Sequence, residues 1–171
     1  MTQKLSILIP AYNEGKTIHL ILDKVKAVNL LNDIQKEIII INDFSTDDTV
    51  AVIENYQKQN PEMGIRLFSQ EINKGKGAAI HKAIELATGD YLIIQDADLE
   101  YDPIDYNDVL KPVVNGFADV VYGSRFIGGN PHRILFYWHS RGNKFLTNLS
   151  NMLTNLNLTD METCYKLIRT D

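Results

Sequence analysis

The chain has 171 residues, 44% of them hydrophobic and 23% charged, with a formal net charge of −5. This is the balance of one globular domain with a real core, and its negative charge argues against a general nucleic-acid binder. The single cysteine, Cys164, excludes an internal disulfide framework and a cysteine-based zinc site and fits a reduced, cytoplasmic setting. The apolar run in MTQKLSILIP is too short for a signal-peptide core, and no run approaches the ~18 apolar residues of a membrane-spanning helix.

Five apolar runs of strand length follow one another: LSILI (5–9), EIIII (37–41), IRLF (65–68), YLII (91–94) and DVVY (119–122). Most are continuous rather than alternating, the pattern of strands covered on both faces in a mainly parallel sheet. Helical patterns separate them. Ile18, Ile21, Leu22, Val25 and Val28 form one stripe. Ser45, with Asp48 three residues on, resembles a capping box ahead of a second helix with Val50, Ile53 and Tyr56 on its buried side. Ala78, Ala79, Ala83, Ile84 and Ala87 make a third stripe, with Gly89 where that helix would stop. Leu149, Met152, Leu153 and Leu156 read as the buried side of a later helix. Strand–helix alternation of this kind predicts a single α/β domain, a Rossmann-like open sheet flanked by helices.

In such a sheet, ligands bind beyond the carboxyl ends of the strands. Three polar segments fall there: PAYNEG (10–15), NDFSTDD (42–48) and DADLE (96–100). Asp96 and Asp98, one residue apart, point the same way in extended chain. Their repulsion would be offset by a dication; few, hard oxygen ligands suit Mg²⁺ or Mn²⁺, with water and phosphate completing the shell. NKGKGAAIHKA (73–83) is neither a P-loop nor a dinucleotide fingerprint, and taken alone it reads as a glycine-rich turn with solvated lysines. His19, His81, His132 and His139 lack ligand-like spacing, and Cys164 reads as a small packed residue.

Charge is also segregated. Seven acids and no lysine or arginine lie between Asp90 and Asp108, whereas Val120 to Thr159 carries no acid but includes Arg125, Arg133, Arg141 and Lys144. Interleaved Phe126, Phe136, Tyr137, Trp138 and Phe145 could seat a phosphate beside a greasy tail at an anionic membrane surface, although ordinary core is the simpler reading of each aromatic.

LSILIPAYNEG, INDFSTDDT, NKGKGAA, DADLEYDP, YGSRF and TDMETCYK occur in the order seen in family 2 glycosyltransferases of GT-A fold, and the chain most resembles the dolichol- and polyprenyl-phosphate sugar synthases. The resemblance implies a nucleotide-sugar pocket lined by Pro10, Tyr12 and Glu14, with Asp43 on the base and Ile41 beside it. Asp96, Ala97 and Asp98 would be the D-x-D that holds the donor pyrophosphate through the metal, with Glu100 a further metal ligand. Arg125 and Arg141 would grip phosphate on acceptor or donor, and Asp160 falls where many inverting relatives carry a catalytic base. The usual DDGS is here NDFS, with Asn42 for an acid and Phe44 for a glycine. The missing Q-x-x-R-W favours transfer of one sugar over processive synthesis, and relatives continue beyond this chain's last residue, which suggests a catalytic domain cut short.

The implied enzyme is inverting and metal-dependent, taking a UDP- or GDP-sugar to an acceptor, with polyprenyl phosphate leading, in the cytoplasm or peripherally at the inner membrane face. Transfer to a glycan hydroxyl in cell-wall or capsule assembly, a non-catalytic nucleotide-sugar-binding module and a nucleotidyltransferase are the alternatives. A hydroxyl acceptor needs a base such as Asp160, whereas a lipid phosphate is already ionised and needs positioning by arginine.

Overall fold

The computed structural model of the protein describes residues 2–125 and 137–170. Among the described residues six strands form one sheet: β1 (Lys4–Ala11), β2 (Gln35–Asn42), β3 (Arg66–Ser69), β4 (Tyr91–Ile94), β5 (Val120–Tyr122) and β6 (Lys166–Arg169), in the order β3-β2-β1-β4-β6-β5. The first four pair in parallel, while β6 runs antiparallel to both β4 and β5. The helices are α1 (Ile18–Ala27), α2 (Thr49–Gln59), α3 (Lys76–Leu86), α4 (Tyr106–Val114) and α5 (Tyr137–Thr154).

The continuous isoleucine run of β2 is explained by cover on both faces. Ile38 and Ile40, with Ile7, Ile9 and Ile93, face a large core closed by α1, α2 and α4. Ile39 and Ile41, with Leu8 and Leu92, lie instead beneath Ala79 and Ala83 of α3. Alanine on that face lets the helix axis come close to the sheet, so the first turn of α3 is carried to the strand ends. Gly89 does not cap α3, which ends at Leu86. It lies against β1, where an added Cβ would sit 2.8 Å from the Lys4 carbonyl and 2.9 Å from the Ser6 nitrogen.

Further expectations need correction. The Ser45 capping box does not form: α2 starts at Thr49, its N-cap Asp48 makes no side-chain cap bond, and Ser45 Oγ accepts from the Asn13 amide. Leu149, Met152, Leu153 and Leu156 are not buried but 43%, 82%, 80% and 54% exposed, and Trp138 and Phe145 are exposed as well. Helical spacing establishes that residues share a face, not that anything covers it. Two elements, α4 and β6, have no counterpart in the sequence reading. Phe126, His132, Arg133 and Phe136 lie outside the described residues, as do the side chains of Tyr137 and His139. No helix among the described residues is long and apolar enough to cross a membrane.

Candidate active site

Strand order reverses direction at β1, which sends the chain to β2 on one side and has β4 on the other. The loops leaving these strands diverge there and open a crevice, the expected ligand position in an open α/β sheet. A cavity of about 200 Å³ occupies it, lined by Pro10, Ala11, Tyr12 and Glu14 after β1, Asp43 after β2, Lys76 of α3, and Asp96, Ala97 and Asp98 after β4. Of the predicted donor residues only Ile41 is missing from this lining; it is fully buried beneath α3.

The loops are stitched to one another by side chains. Asn13 Oδ1 accepts from the Thr46 amide at 2.8 Å, and Glu14 N donates to Thr49 Oγ1 at 2.8 Å. Asp47 accepts from the Thr49 hydroxyl and from the Thr49 and Gly15 amides; although burial opposes its ionisation, these bonds, the hydroxyl's foremost, hold its carboxyl below the ordinary range. Asn42 accepts from the Ser45 amide and donates to Ser69. Phe44 takes the left-handed conformation, φ 62°, that glycine adopts without strain.

Asp43 is buried, and its carboxylate faces the glycine-rich segment. Oδ2 accepts from Gly75 N at 2.7 Å, and Oδ1 accepts from Lys74 N at 2.8 Å and Gln70 Nε2 at 3.0 Å. Asp43 therefore fastens the turn that starts α3. Gly75 takes φ 85° to make that turn. Lys76 follows, and its ammonium sits on Asp96, 2.6 Å from Oδ1 and 2.8 Å from Oδ2. Lys76 is therefore ion-paired as well as solvent-exposed. Lys76 is the site residue that sequence reasoning missed, because its partner lies twenty positions away.

Gln95 holds the acidic turn from below. It is fully buried; its amide nitrogen donates to the carbonyls of Asp96 and Tyr101, and its oxygen accepts from the Tyr106 and Tyr165 hydroxyls. Asp98 is exposed and accepts from the Glu100 amide. Among the described residues no three histidine, cysteine, aspartate or glutamate side chains are gathered as metal ligands, so the expected set of Asp96, Asp98 and Glu100 does not assemble. Glu100 lines a second cavity, about 190 Å³, together with Lys76, Asp96, Arg125, Cys164 and Lys166. Of these three carboxylates, Asp96 and Asp98 share the donor-side cavity. Two hard carboxylates, one already embracing a cation, fit a Mg²⁺ or Mn²⁺ that takes its remaining ligands from water and phosphate.

Asp160 is fully buried and doubly paired with Arg125: Nε lies 2.7 Å from Oδ2 and Nη2 lies 2.8 Å from Oδ1. Asn143 of α5 and the Arg125 amide donate to it as well. Burial opposes ionisation of this carboxyl, but the Arg125 and Asn143 bonds outweigh it and hold its pKa below the ordinary value. The same pairing, against the cost of burial, raises the Arg125 pKa further. Asp160 is thus brought to Arg125 and not to the donor-side cavity. Arg141 lies exposed on α5. Burial, then the nearby Asp96 charge, pushes the Cys164 thiol well up.

A mainly parallel open sheet with an acidic turn at its switch point is what the resemblance to GT-A glycosyltransferases implies, and the comparisons agree. The profile of Glycosyl transferase family 2 matches residues 6–171, and the chain belongs to that family. It is 34% identical over 131 residues to a dolichyl-phosphate beta-glucosyltransferase of Dictyostelium discoideum, covering 71% of this chain and 39% of that protein. It is 28% identical over 135 residues to a dolichol-phosphate mannosyltransferase of Pyrococcus furiosus, covering 78% of this chain and 37% of that one. The chain thus spans well under half the length of these relatives. In fold it is similar to glucosyl-3-phosphoglycerate synthase of Mycobacterium tuberculosis, solved with Mn²⁺, UDP and phosphoglyceric acid: TM-score 0.70 at 20% identity, covering 98% of this chain and 56% of that one.

Proposed function

We propose that this chain is the donor-binding and catalytic portion of an inverting glycosyltransferase that moves one sugar from a UDP- or GDP-sugar to polyprenyl phosphate. The observation that carries this reading is the switch-point cavity, where Asp43, Lys76, Asp96 and Asp98 meet. Its mixed charge suits a metal-bound diphosphate: carboxylates for the metal, an ammonium for the phosphate oxygens. Membership of the family and the dolichyl-phosphate relatives support the same direction.

In the reaction, an acceptor oxygen forms a bond to the anomeric carbon as the bond from that carbon to the diphosphate oxygen breaks. The nucleoside diphosphate leaves with the electron pair. A divalent ion on Asp96 and Asp98 would supply Lewis-acid stabilisation of that developing charge. Asp43 fixes the start of α3, and with it the position of Lys76. Gln95 fixes the backbone that aims the two aspartates.

The Arg125–Asp160 pair, with a buried carboxylate and a partly exposed guanidinium, favours a phosphate acceptor. A general base needs a free, reachable oxygen near the proton it takes. Asp160 has both oxygens committed to Arg125 and Asn143 and is better suited to orienting the guanidinium than to taking a proton. An ionised phosphate has no proton to give up and is met by arginine. Arg141, on the same acid-free stretch, is assigned to the acceptor phosphate with it.

Calorimetry with UDP, GDP and their sugars, with and without Mn²⁺, tests the donor reading. Uptake of a nucleoside diphosphate that requires the metal and is lost in the Asp96→Asn, Asp98→Asn double variant is expected. Equal uptake by that variant in the presence of a chelator overturns it.

A further inference from the structure

Lys76 differs from an ordinary surface lysine in how firmly its backbone is placed. Asp43 clamps the two preceding amides, and Asn73 Nδ2 donates to the Asp43 carbonyl at 3.2 Å. Behind Lys76, Ala79 and Ala83 are fully buried against the sheet. Only the four-carbon stem is left to move. Its ammonium straddles both oxygens of Asp96, the place a cation bound by that carboxylate would take. The Asp96 side chain is largely covered, at 17% exposure, while that of Lys76 is 54% exposed. The lysine also lines both cavities that flank Asp96.

We infer that Lys76 is a built-in counter-cation that occupies Asp96 when the site is empty, yields it to the dication, and passes its own charge to the donor diphosphate. This rests on the donor reading above. A carboxylate beside a second carboxylate and partly out of water is costly without a cation, and Lys76 supplies that cation and holds Asp96 aimed. An ammonium is compact, has three rotatable donors, and swings on a flexible stem. A dication arriving alone must evict it and then suffer its repulsion. A dication arriving with a diphosphate gives the displaced ammonium a new partner. Lys76 thereby couples the two ligands: each raises the affinity for the other, and the coupling is reciprocal. An anion-binding lysine that never competed with the metal would create no such penalty on the metal alone.

The test is Mn²⁺ binding, followed by electron paramagnetic resonance, to the native chain and to Lys76→Met and Lys76→Gln, with thermal melts to verify folding. Without nucleotide, both variants should bind Mn²⁺ on the order of tenfold more tightly than the native chain, the size expected from removing a partly exposed unit charge beside the site. With saturating Mn²⁺, UDP and GDP should bind the variants more weakly, so the Mn²⁺–diphosphate coupling factor falls. Unchanged or weaker Mn²⁺ binding in both variants, with Asp98→Asn abolishing it, overturns the role of Lys76 and leaves the metal reading standing. No Mn²⁺ binding by any of these proteins, even with diphosphate present, overturns both.

Discussion

The carboxylate of Asp43 and the backbone amide of Gly75 meet at 2.7 Å, thirty-two positions apart in the chain. Through this contact the end of β2 sets where α3 begins. Replacing Asp43 with asparagine puts an N–H₂ where one of two backbone amides needs an acceptor. A loss of about 1–3 kcal/mol of stability is expected for a buried charge-assisted contact. Thermal unfolding measures it, and hydrogen exchange at the Lys74 and Gly75 amides should accelerate more than exchange in β1.

Asp98 is exposed and accepts from the Glu100 amide, a bond an asparagine oxygen can also accept. Asp98→Asn should therefore leave the melting temperature nearly unchanged. Sugar transfer should fall on the order of 10²–10³, by analogy with the loss of one preorganised electrostatic group. A variant that melts normally yet transfers at the native rate would remove Asp98 from the machinery.

Asp160, itself buried, links Asn143 to the partly exposed Arg125. Asp160→Asn removes the carboxylate that the guanidinium holds at two nitrogens and, with Arg125 partly exposed, should destabilise by about 1–3 kcal/mol. The pH dependence has a definite sign. A carboxyl with a depressed folded-state pKa stabilises the fold above its unfolded value, ~3.9, and that contribution is lost as pH falls through the lower folded value. The native chain should therefore lose part of its stability to acid in the range below ~4, and urea melts of Asp160→Asn should lack that component.

Cys164 is buried, with its thiol pKa raised by burial and then by Asp96. The thiolate is the reactive form. Ellman's reagent at pH 8 should label the native protein far more slowly than the denatured chain.

Phe44 holds φ 62° with its ring half exposed. The left-handed conformation costs an L-residue roughly 1–2 kcal/mol, and glycine's extra unfolded-state entropy returns about 0.4–1 kcal/mol of that. Phe44→Gly should thus be neutral to stabilising by up to about 1 kcal/mol, raising the melting temperature by as much as ~4 °C. A clear drop would mean that the ring makes a contact worth more than the strain.

Much of the sheet is legible along the chain because local composition carries it. Runs such as EIIII and YLII suit a strand with cover on both sides, and glycine and acid clusters punctuate them. The polar segments 10–15, 42–48 and 96–100 can be placed at strand ends for the same reason. β6 escapes because KLIR is four residues with one fully buried side chain, and it is held by pairing to β4 and β5 rather than by its own pattern. The helix α4 escapes because Pro112 interrupts its stripe near the end.

From sequence alone follow the chain's class, its strand–helix alternation and the polar residues at its strand ends, since each depends on spacing within a few residues. Tertiary structure decided how their charges are spent: Asp43 on the amides before α3, Asp160 on Arg125, Lys76 on Asp96. It also left the Leu149–Leu156 stripe in water. Those outcomes depend on contacts between residues tens of positions apart, and a carboxylate's partner is whichever donor the fold carries to it.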